Sequence, residues 1–397
     1  MAFADRLNHV ETSAIRELFK LLGKPGIISF AGGFPDSAMF DVAGIQAATL
    51  QALQEEPGAA LQYGATEGYN PLREQLAAFM AAKGCTDVAP DNLIVTTGSQ
   101  QALDLLGKTM ISPGDKVIVE GPTFLATIQC FRLYGAQLIS APIDAHGVQT
   151  DQLEALMAEH KPKLVYLIPT FGNPSGATLS LERRRRVLEL AVKYQTLVVE
   201  DDPYGDLYFN AAPPPSLLAL SSQVPGSRAL LAHCGSLSKV LSPGLRVGWL
   251  IAPPELLAKA TMCKQFSDAH TSTFAQATAA QYLKAGRMPA TLAHVRQVYA
   301  ERALAMGNAL RRDLGEAIDF VQPEGGLFVW ARLTGAGGKL QDGAALAQRA
   351  IEKGVAFVPG VPFYATHPDP ATLRLSFATA DVARIEEGVG RLAQALG

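Results

Sequence analysis

The sequence predicts an α/β protein, in which a large, mostly parallel sheet is covered by helices on both faces and a smaller α+β part is attached. Three observations predict it. Short apolar runs alternate with helical patterns from about Asn92 to Ile251, as repeated strand–helix–strand units do. The chain has 397 residues, long for one hydrophobic core, so two domains are expected. Hydrophobic residues make up 48% and charged residues only 18%, a balance that suits a large buried core and argues against disorder.

Taken in order, strands are expected over 93–96, 116–120, 137–141, 164–168, 196–200, 229–234 and 247–251, which makes a seven-stranded sheet. The intervening helices are expected over 99–110, 123–134, 150–159 and 181–194. A long helical stretch follows over 255–314, interrupted at Gly286-Arg287-Met288-Pro289. Its part from Ala290 onward is expected to link the two domains. The tail reads as a strand over 326–332, a helix near 342–353, and strands over 356–358 and 373–377. Ahead of the sheet, Thr12-Ser13-Ala14-Ile15-Arg16-Glu17-Leu18-Phe19 opens a capped amphipathic helix over 12–22.

Thirty-four basic against 37 acidic residues give a net charge of −3, which offers no general basic field for nucleic acid. The run Arg183-Arg184-Arg185-Arg186 follows Ser180 and Glu182 and reads as a solvated helix face. Cys85, Cys130, Cys234 and Cys263 form no CxxC and have no histidine at ligand spacing. They read as buried small hydrophobes in a reducing compartment. The first ten residues lack the apolar core of a secretory signal, and no run is long enough to span a membrane. A soluble, cytoplasmic protein without metal is expected.

Four segments carry chemistry. In Gly235-Ser236-Leu237-Ser238-Lys239 a lysine follows hydroxyls, and Arg246 stands seven residues on. Such a lysine suits covalent attachment to an aldehyde beside a phosphate held by hydroxyls and a guanidinium. In Val198-Val199-Glu200-Asp201-Asp202-Pro203-Tyr204 an apolar run ends in acids, with a tyrosine three residues past Asp201. Gly172-Asn173-Pro174-Ser175-Gly176 is a turn after a buried strand. Thr97-Gly98-Ser99-Gln100 runs from strand into helix, where backbone amides form a natural phosphate site and Ser99 can cap. Farther on, Arg374 lies within an apolar strand, which is costly unless the charge is paired.

In this order the four segments resemble the class I/II aminotransferases, fold type I pyridoxal-phosphate enzymes, and the resemblance runs from about Ile27 to Phe377. It implies Lys239 as the Schiff-base lysine and proton shuttle. Asp201 would be the partner of the ring nitrogen, with Asp202 competing for that role. Tyr204 and Asn173 would hold the phenolic oxygen, and Phe124 would stack on the ring. Ser99, Gln100, Ser236, Ser238 and Arg246 would hold the phosphate, and Arg374 the substrate α-carboxylate. Tyr63 would reach the neighbouring subunit's phosphate, which makes the protein a homodimer with shared active sites. The helix over 12–22 and Gly32-Gly33-Phe34 resemble the 2-aminoadipate, kynurenine and aromatic branch, so Gly33 would cover the substrate and Arg16 would read a distal carboxylate. The implied division is a large cofactor-binding domain over 41–285 and a small domain over 1–40 and 286–397. The expected reaction moves an amino group between an L-amino acid and a 2-oxo acid. A β-lyase or a decarboxylase on the same fold is the alternative. Ser236-Leu237-Ser238-Lys239 also fits the Ser-x-x-Lys pattern of penicillin-binding hydrolases, but their Ser-Asp-Asn and Lys-Thr-Gly companions are absent from the sequence.

Overall fold

The computed structural model describes residues 3–7, 26–336 and 340–397. The helix expected over 12–22, with Arg16, lies outside them. Among the described residues the main sheet has eight strands. Edge to edge they are Leu93–Thr97, Val247–Ile251, Leu231–Ser236, Leu197–Asp202, Leu164–Leu167, Lys116–Gly121, Gln137–Asp144 and Gly147–Val148. Pairing is parallel from Leu231–Ser236 through Gln137–Asp144, whereas Val247–Ile251 runs antiparallel to both its neighbours. All seven expected strands are present. The eighth is a two-residue strand that folds back on Gln137–Asp144.

Central strands such as Leu164–Leu167 and Val247–Ile251 are buried at every position. That is why they read as continuous apolar runs: helices cover both faces of a parallel sheet. The fifth strand begins at Leu197 because the Thr196 amide still closes the preceding helix on Ala191 O. Ala229 and Leu230 belong to a short 3-10 turn, Ser227–Leu230, ahead of their strand.

The long helical stretch divides into Pro254–Ser267, Thr273–Lys284 and Met288–Asp313. The last starts two residues earlier than expected, because Pro289 fits the first turn of a helix. It packs against Val382–Leu396. The strands Ile318–Phe320, Phe328–Leu333, Thr372–Ser376 and Val358–Pro359 form a second, antiparallel sheet in that order. Ile28–Ser29 pairs with Val355–Ala356, and Ser376 N–H donates to Phe30 O at 2.8 Å. Chain ends far apart in sequence are thereby joined.

The arginine run is not a solvated face throughout. Arg184 is fully buried and donates to Leu179 O, Pro169 O and Thr170 Oγ1, each at 2.8 Å. Its helix turns this position inward, and burial is tolerated because the guanidinium is hydrogen-bonded to oxygens of the 169–179 segment, which the Leu179 amide also closes on Pro169 O at 2.7 Å. The four cysteines are free, as expected, but Cys263 is only partly buried.

Candidate active site

The carboxyl ends of the central strands open onto a cavity of about 380 Å³, as is usual for open α/β sheets. Twelve of the fourteen candidate residues line it: Gly33, Ser99, Gln100, Phe124, Asn173, Asp201, Tyr204, Ser236, Ser238, Lys239, Arg246 and Arg374. Tyr63 does not line it. That ring is 86% exposed and stands edge-on to His270 at 5.7 Å. Arg16 is outside the described residues.

Lys239 follows the end of Leu231–Ser236. Leu237, Val240 and Leu241 are buried beside it, and the Leu241 and Ser242 amides fold back onto Leu237 O. These apolar anchors leave the lysine facing the cavity, where Nζ donates to Gly33 O at 2.8 Å. Burial, followed by the Arg374 and Arg246 charges, draws its amine down to about 8. A minority, roughly a fifth at pH 7.4, is therefore neutral, far more than for an ordinary lysine.

Asp201 sits near the end of Leu197–Asp202 and is 2% exposed. Oδ2 accepts from Tyr166 Oη at 2.7 Å, while Oδ1 is buried without a hydrogen-bond partner among the described residues. Burial pushes this carboxyl up to about 7, with Tyr166 opposing the shift and Asp202 adding to it. Asp202 takes Gly205 N–H and lies 3.6 Å from Lys83 Nζ. It does not line the cavity. Geometry thus separates two acids that propensity cannot.

The Gly98 turn has φ +77°, and its residue precedes the helix Ser99–Met110 without a side-chain cap. Ser99 is therefore the first helical residue and not a capping side chain; the Gln101 amide closes on Gly98 O at 3.1 Å, and the Ser99 and Gln100 amides at the helix start are placed to meet an anion. Ser236 Oγ donates to Ser238 Oγ at 2.8 Å. Arg246, at φ +55°, anchors on Thr97 O at 3.1 Å. Two hydroxyls, a guanidinium and a helix N-terminus converge at this end of the cavity, which is an anion-binding arrangement.

Arg374 is 3% exposed. Nη1 donates to Asn173 Oδ1 and Nη2 to Ala31 O, both at 2.8 Å. The guanidinium lies 4.2 Å from the Phe328 ring centre, and its Nε has no partner. Burial lowers it only to about 10, so it keeps its charge. Among the described residues its hydrogen-bond partners are all neutral, an arrangement that suits a carboxylate ligand. Asn173 Nδ2 in turn donates to Tyr204 Oη at 3.4 Å, and burial pushes the Tyr204 phenol up.

Sequence reasoning missed several contributors. Tyr166 reads as an ordinary core aromatic within a strand, and nothing local marks its bond to Asp201. Asp36 pairs with the buried Arg302 at 2.7 Å, which ties the Gly32-Gly33-Phe34 loop to the long helix. Leu125 and Gln129 line the cavity from the first turns of Leu125–Leu133. They stand four residues apart on one helix face, but nothing local shows which cavity that face meets.

The family model for aminotransferase class I and II matches residues 27–392. A 2-aminoadipate transaminase from Thermus thermophilus is 42% identical over all of this chain and 96% of its own length. Aromatic-amino-acid aminotransferase 1 of Thermococcus litoralis is 38% identical over 99% and 94%. A crystal structure of an alpha-aminoadipate aminotransferase from Thermus thermophilus, complexed with N-(5'-phosphopyridoxyl)-L-leucine, superposes with a TM-score of 0.91. That chain is 40% identical, with 99% of this chain and 97% of the other covered. These relatives fall in the branch that the motifs resemble, and a lysine, an acid and an arginine meet here in one cavity. The chain belongs to the class I and II aminotransferases, the pyridoxal-phosphate enzymes that exchange amino groups between amino acids and 2-oxo acids.

Proposed function

We propose that this chain transfers the amino group of an L-amino acid to a 2-oxo acid in two half-reactions. Glutamate and 2-oxoglutarate form one pair. A 2-aminoadipate, aromatic or branched-chain amino acid belongs to the other. The observation that carries this reading is the sharing of one cavity by the Lys239 amine, the bare Asp201 Oδ1 and the carboxylate-deficient Arg374. The donor set fits pyridoxal phosphate: Oδ1 can accept from a protonated ring nitrogen, Asn173 and Tyr204 can hold a phenolic oxygen, and Phe124 offers a ring face. Ser99, Gln100, Ser236, Ser238 and Arg246 provide the phosphate site.

The bound cofactor supplies an electron sink for the substrate's Cα. Lys239 would hold the cofactor through its aldehyde, and its Nζ is placed to take and return a proton. The low Lys239 pKa equips it for both roles. Arg374 orients the substrate through its α-carboxylate. Gly33 and its loop lie over the lysine, where they limit water access. Arg16 is the candidate reader of a distal carboxylate.

Glutamate or 2-aminoadipate should bleach the cofactor's visible absorbance band in a single turnover. A band that persists with every amino acid tried would exclude the reading. Borohydride reduction followed by digestion and mass spectrometry should place the pyridoxyl group on Lys239.

We also propose that a second copy covers the surface around Tyr63. Thr273 Oγ1 donates to Ala60 O and Gln62 O, which joins two segments that leave Leu61, Tyr63 and Phe266 exposed. Large apolar side chains this exposed are candidates for burial by a partner. Tyr63 would then serve the partner's phosphate. Sedimentation equilibrium should show a dimer, and a monomer at micromolar concentration would refute it. The division into 41–285 and 1–40 with 286–397 is proposed on the pairing of Ile28–Ser29 with Val355–Ala356. A cytoplasmic location is proposed on four free cysteines. Among the described residues no helix is long and apolar enough to cross a membrane.

A further inference from the structure

We propose that Tyr166 is the positioning residue that aims Asp201, its hydroxyl occupying Oδ2 so that Oδ1 alone is presented to the cavity as an ionised acceptor. The inference rests on the reading of Asp201 as the partner of the cofactor's ring nitrogen.

A carboxyl group rotates easily about its last bond, and a buried one tends to take up a proton. Asp201 faces both hazards. It is buried, and negative or proton-binding groups approach it from several elements. Glu120 stands on Lys116–Gly121, where burial pushes it up to about 8, Ile168 N–H opposes this and Asp201 adds to it. Glu200 and Asp202 flank Asp201 on its own strand. Cys234 is its register partner on Leu231–Ser236, with His233 beside it, and Tyr204 follows in the next turn. Among the described residues, Tyr166 is the group that donates a hydrogen bond to the Asp201 side chain.

The tyrosine is built for the task. It is fully buried and comes from the adjacent parallel strand, where its register partners are Val199 and Val119. Phe131 meets its ring edge-on at 5.9 Å and 89°. A phenol fixed in this way delivers its O–H along one direction, and a single bond to Oδ2 sets the plane of the carboxylate. The bond also favours the charged form. The same contact therefore fixes both the direction and the charge of Oδ1.

The test uses Tyr166→Phe, which removes one oxygen and keeps the ring packing. Apoprotein is titrated with pyridoxal phosphate by absorbance from pH 6.5 to 9, beside the wild type. Affinity should be roughly tenfold weaker at pH 6.5, the factor that raising the carboxyl by about one pH unit gives. The deficit should close as pH rises and Asp201 ionises in both proteins. The acid limb of kcat/KM should move upward by a similar amount. In an Asp201→Asn background, adding Tyr166→Phe should change neither readout.

A deficit that stays constant across pH, or none at all, would overturn the proposal, as would an undiminished effect of Tyr166→Phe on top of Asp201→Asn. If Asp201→Asn itself left affinity and turnover intact, the reading of Asp201 would fall and this proposal with it. A damaging Asp201→Asn beside a silent Tyr166→Phe would remove the proposal alone.

Discussion

Arg374 and Asn173 stand 201 residues apart in the chain, yet Nη1 of one donates to Oδ1 of the other across 2.8 Å. The bond joins the last strand of the small sheet to a turn at the end of a strand in the large one. Among the described residues the guanidinium meets no carboxylate and lies over the Phe328 ring. In the proposed function a substrate's carboxylate would complete it, beside Lys239.

Arg374→Met should therefore remove substrate binding without removing the cofactor. Truncating one member of a buried charge pair costs about 2–5 kcal/mol, or roughly 30- to 5000-fold in kcat/KM. Arg374→Lys should recover little of this, because a point charge cannot make the planar fork. Steady-state kinetics beside a pyridoxal-phosphate titration will check it. Cofactor loss in parallel with activity would contradict the assignment.

The phosphate turn depends on a glycine in the neighbouring strand. A Cβ on Gly248 would lie 2.6 Å from Gly98 C and 2.7 Å from Ser99 N. Both are backbone atoms, so the turn itself must shift. Gly248→Ala should weaken pyridoxal phosphate binding by about tenfold or more and lower stability by about 1–3 kcal/mol. Gly390, in the helix Val382–Leu396, has nothing near a built Cβ. Gly390→Ala should be neutral or stabilising by about 0.4–1 kcal/mol. Equal effects from the two variants would reject the steric argument.

Glu120 gives stability a pH signature. Its folded pKa is raised to about 8, chiefly by burial, from an ordinary 4.5. The folded state therefore holds a proton that the unfolded chain releases. This contribution is complete below about 4.5 and is lost as pH rises through about 8. Glu120→Gln should flatten the fall in apoprotein Tm between pH 5 and 9 and should be the more stable form at pH 9. The amide oxygen can still accept from Ile168 N–H, which Glu120 Oε2 now does at 2.8 Å. Parallel melting curves for variant and wild type would show that Glu120 does not titrate in this range.

Lys239 should set the pH dependence of cofactor capture. With the amine drawn down to about 8, the rate of attachment to apoprotein should climb about tenfold per pH unit below that value and level off above it. Arg374→Met removes a cation that lowers this pKa, so the midpoint should move up. Lys239→Ala should capture no cofactor covalently and should turn over no substrate. Stopped-flow absorbance measures the first two effects, and reduction with borohydride the third.

The alternation of apolar runs and helical patterns was enough to place the seven long strands, because strands buried on both faces leave continuous aliphatic runs. Most of the candidate residues meet in one cavity because their motifs follow strands of one sheet, at ends that lie side by side, while Gly33 and Arg374 are brought to it from a loop and from the small sheet. Tyr166 and Arg184 were not legible. One looks like core and the other like surface, and only packing shows that the first touches Asp201 and the second closes the 169–179 turn.

Local pattern and motif order determined the sheet and the family, and pointed to Lys239, Asp201 and Arg374 as candidates. Tertiary structure decided which of Asp201 and Asp202 faces the cavity and, among the described residues, that Arg374 meets no carboxylate and that Asp201 keeps one oxygen bare. The reason is physical. Strand and helix propensities act over a few residues and are written locally, whereas burial, electrostatic environment and hydrogen-bond partnership arise between segments that only the folded chain brings together.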